Sequence, residues 1–348
     1  MKTKPMTKFA ILALSLVLVA CAGGGSEEAG CPAIDGREIN VVATTPMIGE
    51  FVSQVGGENI NLTVLMPPEA NPHTYEPAPQ DAGTIAEADL VFYTGLLYEP
   101  AALVKLLENS ACSTDILSEV GESVFPIEFK EGGHDDHDDH DDHDDHDDHD
   151  DEEGHDDHDD EEGHDDHEGH NHGAYDPHFW FDPSRVAYAA EYIESRLIQF
   201  DPENESSYKS SADSFVSELN DLTKQVSELI STVPSQNRKL ITTHESLGYL
   251  EAKFGLEVLS TIIPSLNSAN EISPSDLAGV IDVIEDNNVK VIFIESEAPS
   301  VYSETIVAET GIKPVTGLYV ETLKPGQSYS EFLISNVKLI TENLQDTD

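Results

Sequence analysis

The histidines of this 348-residue chain fall into two sets. Twelve of the fifteen stand in a tract built largely of His-Asp-Asp triplets: His134, His137, His140, His143, His146, His149, His155, His158, His164, His167, His170 and His172. The other three, His73, His178 and His244, lie far apart, each in a short motif of its own. A lone histidine is more often a hydrogen-bonded core or surface residue than a ligand. Three of them, with no others outside a metal-avid tract, point to divalent metal capture. Three neutral imidazoles form a zinc set that a carboxylate or water completes to a tetrahedron at about 2.0–2.2 Å. The carboxylate should come from Gly317-Leu-Tyr-Val-Glu-Thr-Leu323, where Glu321 is the only candidate. The tract offers nitrogen and oxygen ligands without fixed geometry. It is expected to hold several weaker, exchangeable sites, or else to be an acidic solubilising spacer.

The formal charge is −52, and 23 acidic residues with no Lys or Arg lie between His134 and His172, so −29 remains on the rest. Such a chain attracts cations and repels polyanions, which excludes a nucleic-acid partner. The tract has no apolar position and a period of three, matching neither helix nor strand, so a solvated, disordered insert over residues 131–173 is expected.

Lys2, Lys4 and Lys8 precede an apolar run of twelve residues, Phe9 to Ala20, too short to span a bilayer. Leu18-Val-Ala-Cys21 and a Gly-rich stretch follow. This resembles a bacterial lipoprotein signal, which implies cleavage before a lipidated Cys21, a flexible tether over residues 22–37, and a mature protein held by lipid outside the cytoplasmic membrane, in the periplasm or at the cell surface. Cys31 and Cys112 are then the remaining pair, open to one disulfide in an oxidising compartment or to two free thiols.

The elements that must position the three histidines alternate between strand and helix. Strands are expected near residues 38–45, 61–66, 90–94, 239–243, 256–262, 290–295 and 313–319. Helices are expected near 46–55, 79–88, 100–109, 184–197, 246–254, 274–287, 301–310 and 328–343. Between the halves, Phe215, Leu219, Leu222, Val226 and Leu229 recur at three- and four-residue steps, predicting one helix over about 206–233. The reading is an α/β protein of two lobes, each a mainly parallel sheet flanked by helices, joined by one long rigid helix. The lobes cover residues 38–183 and 236–348, with linking helices over 184–235. Ligands of such sheets bind beyond the C-terminal strand ends, so the site belongs in the cleft between lobes.

The chain is similar to the zinc/manganese substrate-binding lipoproteins of bacterial metal ABC transporters, from about Asn40 to Leu344 apart from the insert. Carrying the resemblance are Asn71-Pro-His-Thr-Tyr-Glu-Pro-Ala-Pro79, Ala88-Asp-Leu-Val-Phe-Tyr-Thr-Gly95, Asp176-Pro-His-Phe-Trp-Phe-Asp-Pro183, Thr243-His-Glu-Ser-Leu-Gly-Tyr249, Ile294-Glu295 and Glu309-Thr-Gly311. The resemblance implies one metal between two lobes, with His73 and His178 as ligands from the first, and His244 and Glu321 from the second. It also implies a membrane permease as partner and a monomeric receptor. Manganese members typically carry a carboxylate where this chain has His244, and three imidazoles favour Zn2+ over the harder Mn2+. The fourth family position is usually Asp, so Glu321 could bind directly, bind through water or swing away.

Glu245 and Glu295 could orient an imidazole, or be charges at a helix start and a strand end. Phe179, Trp180 and Phe181 are expected to pack around the His178 loop. The functional expectation is high-affinity zinc binding for import, with a manganese-binding homologue or an adhesin or zinc-storage lipoprotein as alternatives. A zinc hydrolase is disfavoured, because the chain has no His-Glu-x-x-His or Gly-x-Ser-x-Gly motif.

Overall fold

The computed structural model describes Cys31, Ile34 and residues 36–129, 175–297 and 301–345. Cys21, the twelve histidines of the tract and most of the expected tether lie outside the described residues. The end of the tether region is attached. Ile34 packs on the core, Cys31 is disulfide-bonded to Cys112, and the Arg37 guanidinium donates to both oxygens of Asp89 at 2.5 and 2.6 Å.

In the first lobe, β1 (Ile39–Ala43), β2 (Ile60–Val64), β3 (Leu90–Tyr93) and β4 (Leu117–Glu119) form a parallel sheet in the order β2-β1-β3-β4. Three helices connect them: α1 (Pro46–Gly56), α2 (Pro79–Ala86) and α3 (Ala101–Ser110). Two longer helices follow, α4 (Pro183–Phe200) and α5 (Glu205–Ser231). The second lobe repeats the plan. There β5 (Lys239–His244), β6 (Glu257–Ile263), β7 (Val291–Glu295) and β8 (Lys313–Leu318) run parallel in the order β6-β5-β7-β8. Its helices are α6 (Gly248–Phe254), α7 (Pro274–Asp286), α8 (Val301–Thr310) and α9 (Tyr329–Gln345).

Local chemistry explains the helix starts. Thr45, Asp182 and Ser273 each accept a backbone N–H of the first turn, and each is followed by a proline at the first helical position. Helix α6 begins two residues later than the sequence pattern suggests, because the Ser246 hydroxyl is engaged with the His244 carbonyl and with Glu295. Strand β4 escaped the sequence reading. It is a three-residue edge strand, too short to show a period.

Alternation along the strands sorts side chains between layers. Ile39, Val41, Ala43, Leu90, Phe92, Leu240, Val291 and Phe293 point into one central core, while Val42, Val91, Ile241 and Ile292 face outer clusters. Helix α5, about 40 Å long, buries Tyr208, Ala212, Phe215, Leu219, Leu222, Val226 and Ile230 in that central core. The core contains α1 and α4 residues from one side and α9 residues from the other, so the two lobes share a continuous apolar interior. Both sheets direct their C-terminal strand ends to the region where His73 meets Glu321.

Candidate metal centre

His73 and Glu321 lie in the loops after β2 and β8, His244 ends β5, and His178 stands in the turn that leads into α4. After β2, Pro72–Thr74 form a 3-10 turn that Asn71 caps by accepting the His73 N–H at 2.9 Å. The Asn71 side chain also donates to Ser268 Oγ and the Glu297 carbonyl, tying this loop to the second lobe. His178 precedes a 3-10 turn over Phe179–Phe181, and Asp176 Oδ1 accepts its backbone N–H at 2.8 Å. His244 is the last residue of β5, and Glu321 follows β8 by three residues.

The four converge. One ligand atom from each of His73, His178, His244 and Glu321 lies within 4.8 Å of the others. Glu321 Oε1 is 3.0 Å from His73 Nε2 and 2.9 Å from His244 Nε2, and Oε2 is 3.5 Å from His178 Nε2. A tetrahedron at zinc–ligand lengths has edges of roughly 3.4 Å, so these separations need only small adjustments around an ion. His178 and His244 are fully buried, yet neither Nε2 makes a well-aligned hydrogen bond. Buried polar atoms without such a partner are costly. Here two of them point at the same place.

The opposite ring nitrogens are anchored. Nδ1 of His178 donates to Asp176 Oδ1 at 2.8 Å, and Nδ1 of His244 donates to Glu295 Oε2 at 2.5 Å. A carboxylate can only accept, so Nδ1 carries the proton and the Nε2 lone pair is left for an ion. Glu295 also accepts the His244 backbone N–H at 3.1 Å. Glu245 instead accepts from Thr261 at 2.9 Å and holds no imidazole.

The electrostatics suit exchange between protons and a cation. Burial works to lower the His178 pKa, but Asp176 and Glu321 outweigh it and push it up to about 9. His244 is likewise opposed by burial and driven well above the ordinary range by Glu295 and Glu321. Burial acts to raise Glu321, and the three imidazoles hold it well below the usual carboxylate range. Glu297 is pushed up to about 8 by burial and by the charges of Glu321 and Glu295.

The sequence reading missed Tyr98, whose hydroxyl donates to Glu321 Oε2 at 2.9 Å and is also 3.1 Å from the Glu321 carbonyl. No local pattern marks it. It missed Asp176 as an orienting group, although a carboxylate two residues before His178 was a readable signal. Phe179, Trp180 and Phe181 are buried, and Trp180 Nε1 donates to the Val320 carbonyl at 2.8 Å, bracing the Glu321 segment.

Residues 41–343 match the family described as "Zinc-uptake complex component A periplasmic". The chain belongs to this family. Its members are periplasmic solute-binding receptors rather than enzymes, and the chain is a metal-binding substrate-binding protein of an ABC transporter that works with a membrane permease. Among relatives, a manganese ABC transporter substrate-binding lipoprotein, PsaA, of Streptococcus anginosus is 26% identical over 350 residues, covering 98% of this chain and 99% of the relative. The manganese-binding lipoprotein MntA of Halalkalibacterium halodurans is 22% identical over 332 residues, covering 95% and 94%. In fold, the chain is similar to the periplasmic zinc binding protein TroA from Treponema pallidum, with a TM-score of 0.71 and 20% identity over 88% of this chain and 99% of that one. It is also similar to Fe(III)-bound YtgA from Chlamydia trachomatis, with a TM-score of 0.70, 24% identity and 88% and 98% coverage. Among the described residues, no helix is long and apolar enough to cross a membrane.

Proposed function

We propose that the chain is a zinc receptor: a monomer lipid-anchored through Cys21 that binds Zn2+ with His73, His178, His244 and Glu321 and presents it to the permease. The observation carrying this reading is the convergence of three imidazoles and one carboxylate within 4.8 Å, with Nδ1 of two of the imidazoles held by a carboxylate. A set of three nitrogens and one carboxylate suits zinc better than manganese, which prefers oxygen. Manganese is the second reading, favoured by the manganese-named relatives.

Binding needs no covalent chemistry. It needs deprotonated imidazoles, and the site must be able to let the ion go. Because the lobes share one apolar core, release is assigned to movement of the ligand-bearing loops, not to separation of the lobes. The twelve tract histidines supply weak accessory sites that concentrate cations near the cleft.

The test is competitive zinc and manganese binding on a chain lacking residues 133–173 and on its His244→Ala variant. Glu128 and Tyr175, on the two sides of the excised stretch, pair directly as an antiparallel bridge. Retained one-to-one tight zinc binding, lost in the variant, is expected. Manganese preference in the parent overturns the metal assignment, and loss of all binding on excision overturns the receptor site.

A further inference from the structure

The two oxygens of Glu321 are not equivalent. Oε1 sits among the imidazoles, 3.0 Å from His73 Nε2 and 2.9 Å from His244 Nε2. Oε2 accepts the Tyr98 hydroxyl at 2.9 Å and lies 3.5 Å from His178 Nε2. We propose that Tyr98 sets the coordination number of the bound ion, holding Oε2 so that Glu321 offers the metal Oε1 alone, and that it thereby acts as a positioning residue for zinc selectivity. The inference rests on the reading of His73, His178, His244 and Glu321 as the ligand set.

Tyr98 is aimed by an unusual stretch of backbone. Gly95, Leu96 and Leu97 precede it with φ of 77°, 53° and 62°, three successive residues in the left-handed region. That conformation is unfavourable for leucine and persists only where surrounding contacts over-determine it. Two carboxylates supply them. Glu99 accepts the Thr44 hydroxyl and the Thr94 and Gly95 N–H groups at 2.7, 2.7 and 2.9 Å, and Glu119 accepts the Leu96 N–H at 2.9 Å. A Cβ on Gly95 would lie 2.1 Å from the Glu119 side chain, so a larger residue there would have to displace the carboxylate that anchors this turn. The phenol ring is buried edge-on against His73 and Trp180, at centroid distances of 5.1 and 5.3 Å, which fixes its direction.

The consequence for the ion follows from donor counting. Three imidazoles and one carboxylate oxygen make a four-coordinate site, the usual number for zinc. Releasing Oε2 adds a fifth donor, and an oxygen, which shifts preference toward the harder manganese ion. A first-lobe hydroxyl thus restrains a second-lobe ligand.

The test uses the full chain loaded with Co2+ below one equivalent, so that the tightest site fills first. Tetrahedral cobalt absorbs visible light far more strongly than five-coordinate cobalt. The parent should show the strong tetrahedral band. Tyr98→Phe should weaken it and move the manganese-to-zinc affinity ratio toward manganese by about tenfold, as loss of a partner behind a ligand commonly does. In a Glu321→Gln background the same substitution should change neither readout. Identical spectra and an unchanged ratio in Tyr98→Phe overturn the proposal. A band that survives His244→Ala places cobalt elsewhere and defeats the ligand set itself, a separate failure. Should Tyr98→Phe not fold, X-ray absorption of the zinc-loaded parent decides: four nitrogen and oxygen neighbours are expected, and five overturn the assignment.

Discussion

Nδ1 of His244 lies 2.5 Å from Glu295 Oε2, and both side chains are shut away from solvent. The pair joins the last residue of β5 to the last residue of the neighbouring β7. Parallel pairing of these two strands sets the distance between them, so the imidazole is aimed by the sheet rather than by a loop.

Glu295→Gln should weaken zinc binding by about 10–100-fold, because the neutral amide no longer enforces the tautomer that presents Nε2. Competition against a chelator of known affinity measures it. Glu245→Gln, at a carboxylate engaged with Thr261, should leave affinity unchanged. Equal losses in the two variants would show that Glu295 has no special role.

Stability of the metal-free protein should fall as pH rises from 6.5 to about 9. The folded-state pKa of His178 is about 9 against 6.5 for a free imidazole, because Asp176 and Glu321 overcome the effect of burial. A raised pKa contributes stability that is full below the unfolded value and disappears through the folded one. Glu297, raised to about 8 by burial and two neighbouring carboxylates, acts in the same direction as it ionises. Zinc replaces the imidazole protons, so its affinity should increase over the same window. Thermal midpoints with and without zinc between pH 6 and 9 should diverge, and a flat metal-free curve refutes this account.

Replacing Cys31 and Cys112 with serine should destabilise the fold by about 2–4 kcal/mol, since the bond closes a loop with a sequence separation of 81. It ties the residues before β1 to the segment after α3, and neither cysteine is among the four converging side chains. Calorimetry should therefore show a lower midpoint while zinc affinity is kept.

Phe215→Ala on α5 should cost about 3–5 kcal/mol, as its ring is buried 6.3 Å from that of Phe51 in the core shared by both lobes. Unfolding should remain one cooperative transition. Two resolved transitions would mean that the lobes unfold independently, despite their common interior.

Much of the architecture was readable because it is local. Short apolar runs alternating with helical patterns marked seven of the eight strands among the described residues, and the stepped apolar series from Phe215 to Leu229 marked α5. Strand β4 was lost to its length, three residues. At the site, residue type and rarity singled out His73, His178 and His244, and Glu321 was the only carboxylate in its segment. Tyr98 was invisible because its partner is 223 residues away and nothing near it in sequence differs from an ordinary buried tyrosine.

The sequence by itself determined which chemical groups were available: three imidazoles outside the tract, a carboxylate after the last strand, and a β-α order that carries His73, His244 and Glu321 to a strand end or the loop after it. The tertiary structure decided which atoms of those groups face one another. It set Nε2 rather than Nδ1 toward the common point in His178 and His244, because Asp176 and Glu295 occupy the other nitrogen. It also left Oε1 of Glu321 among the imidazoles by giving Oε2 to Tyr98. Such choices depend on contacts across as many as 248 residues of sequence, and local periodicity holds no record of them.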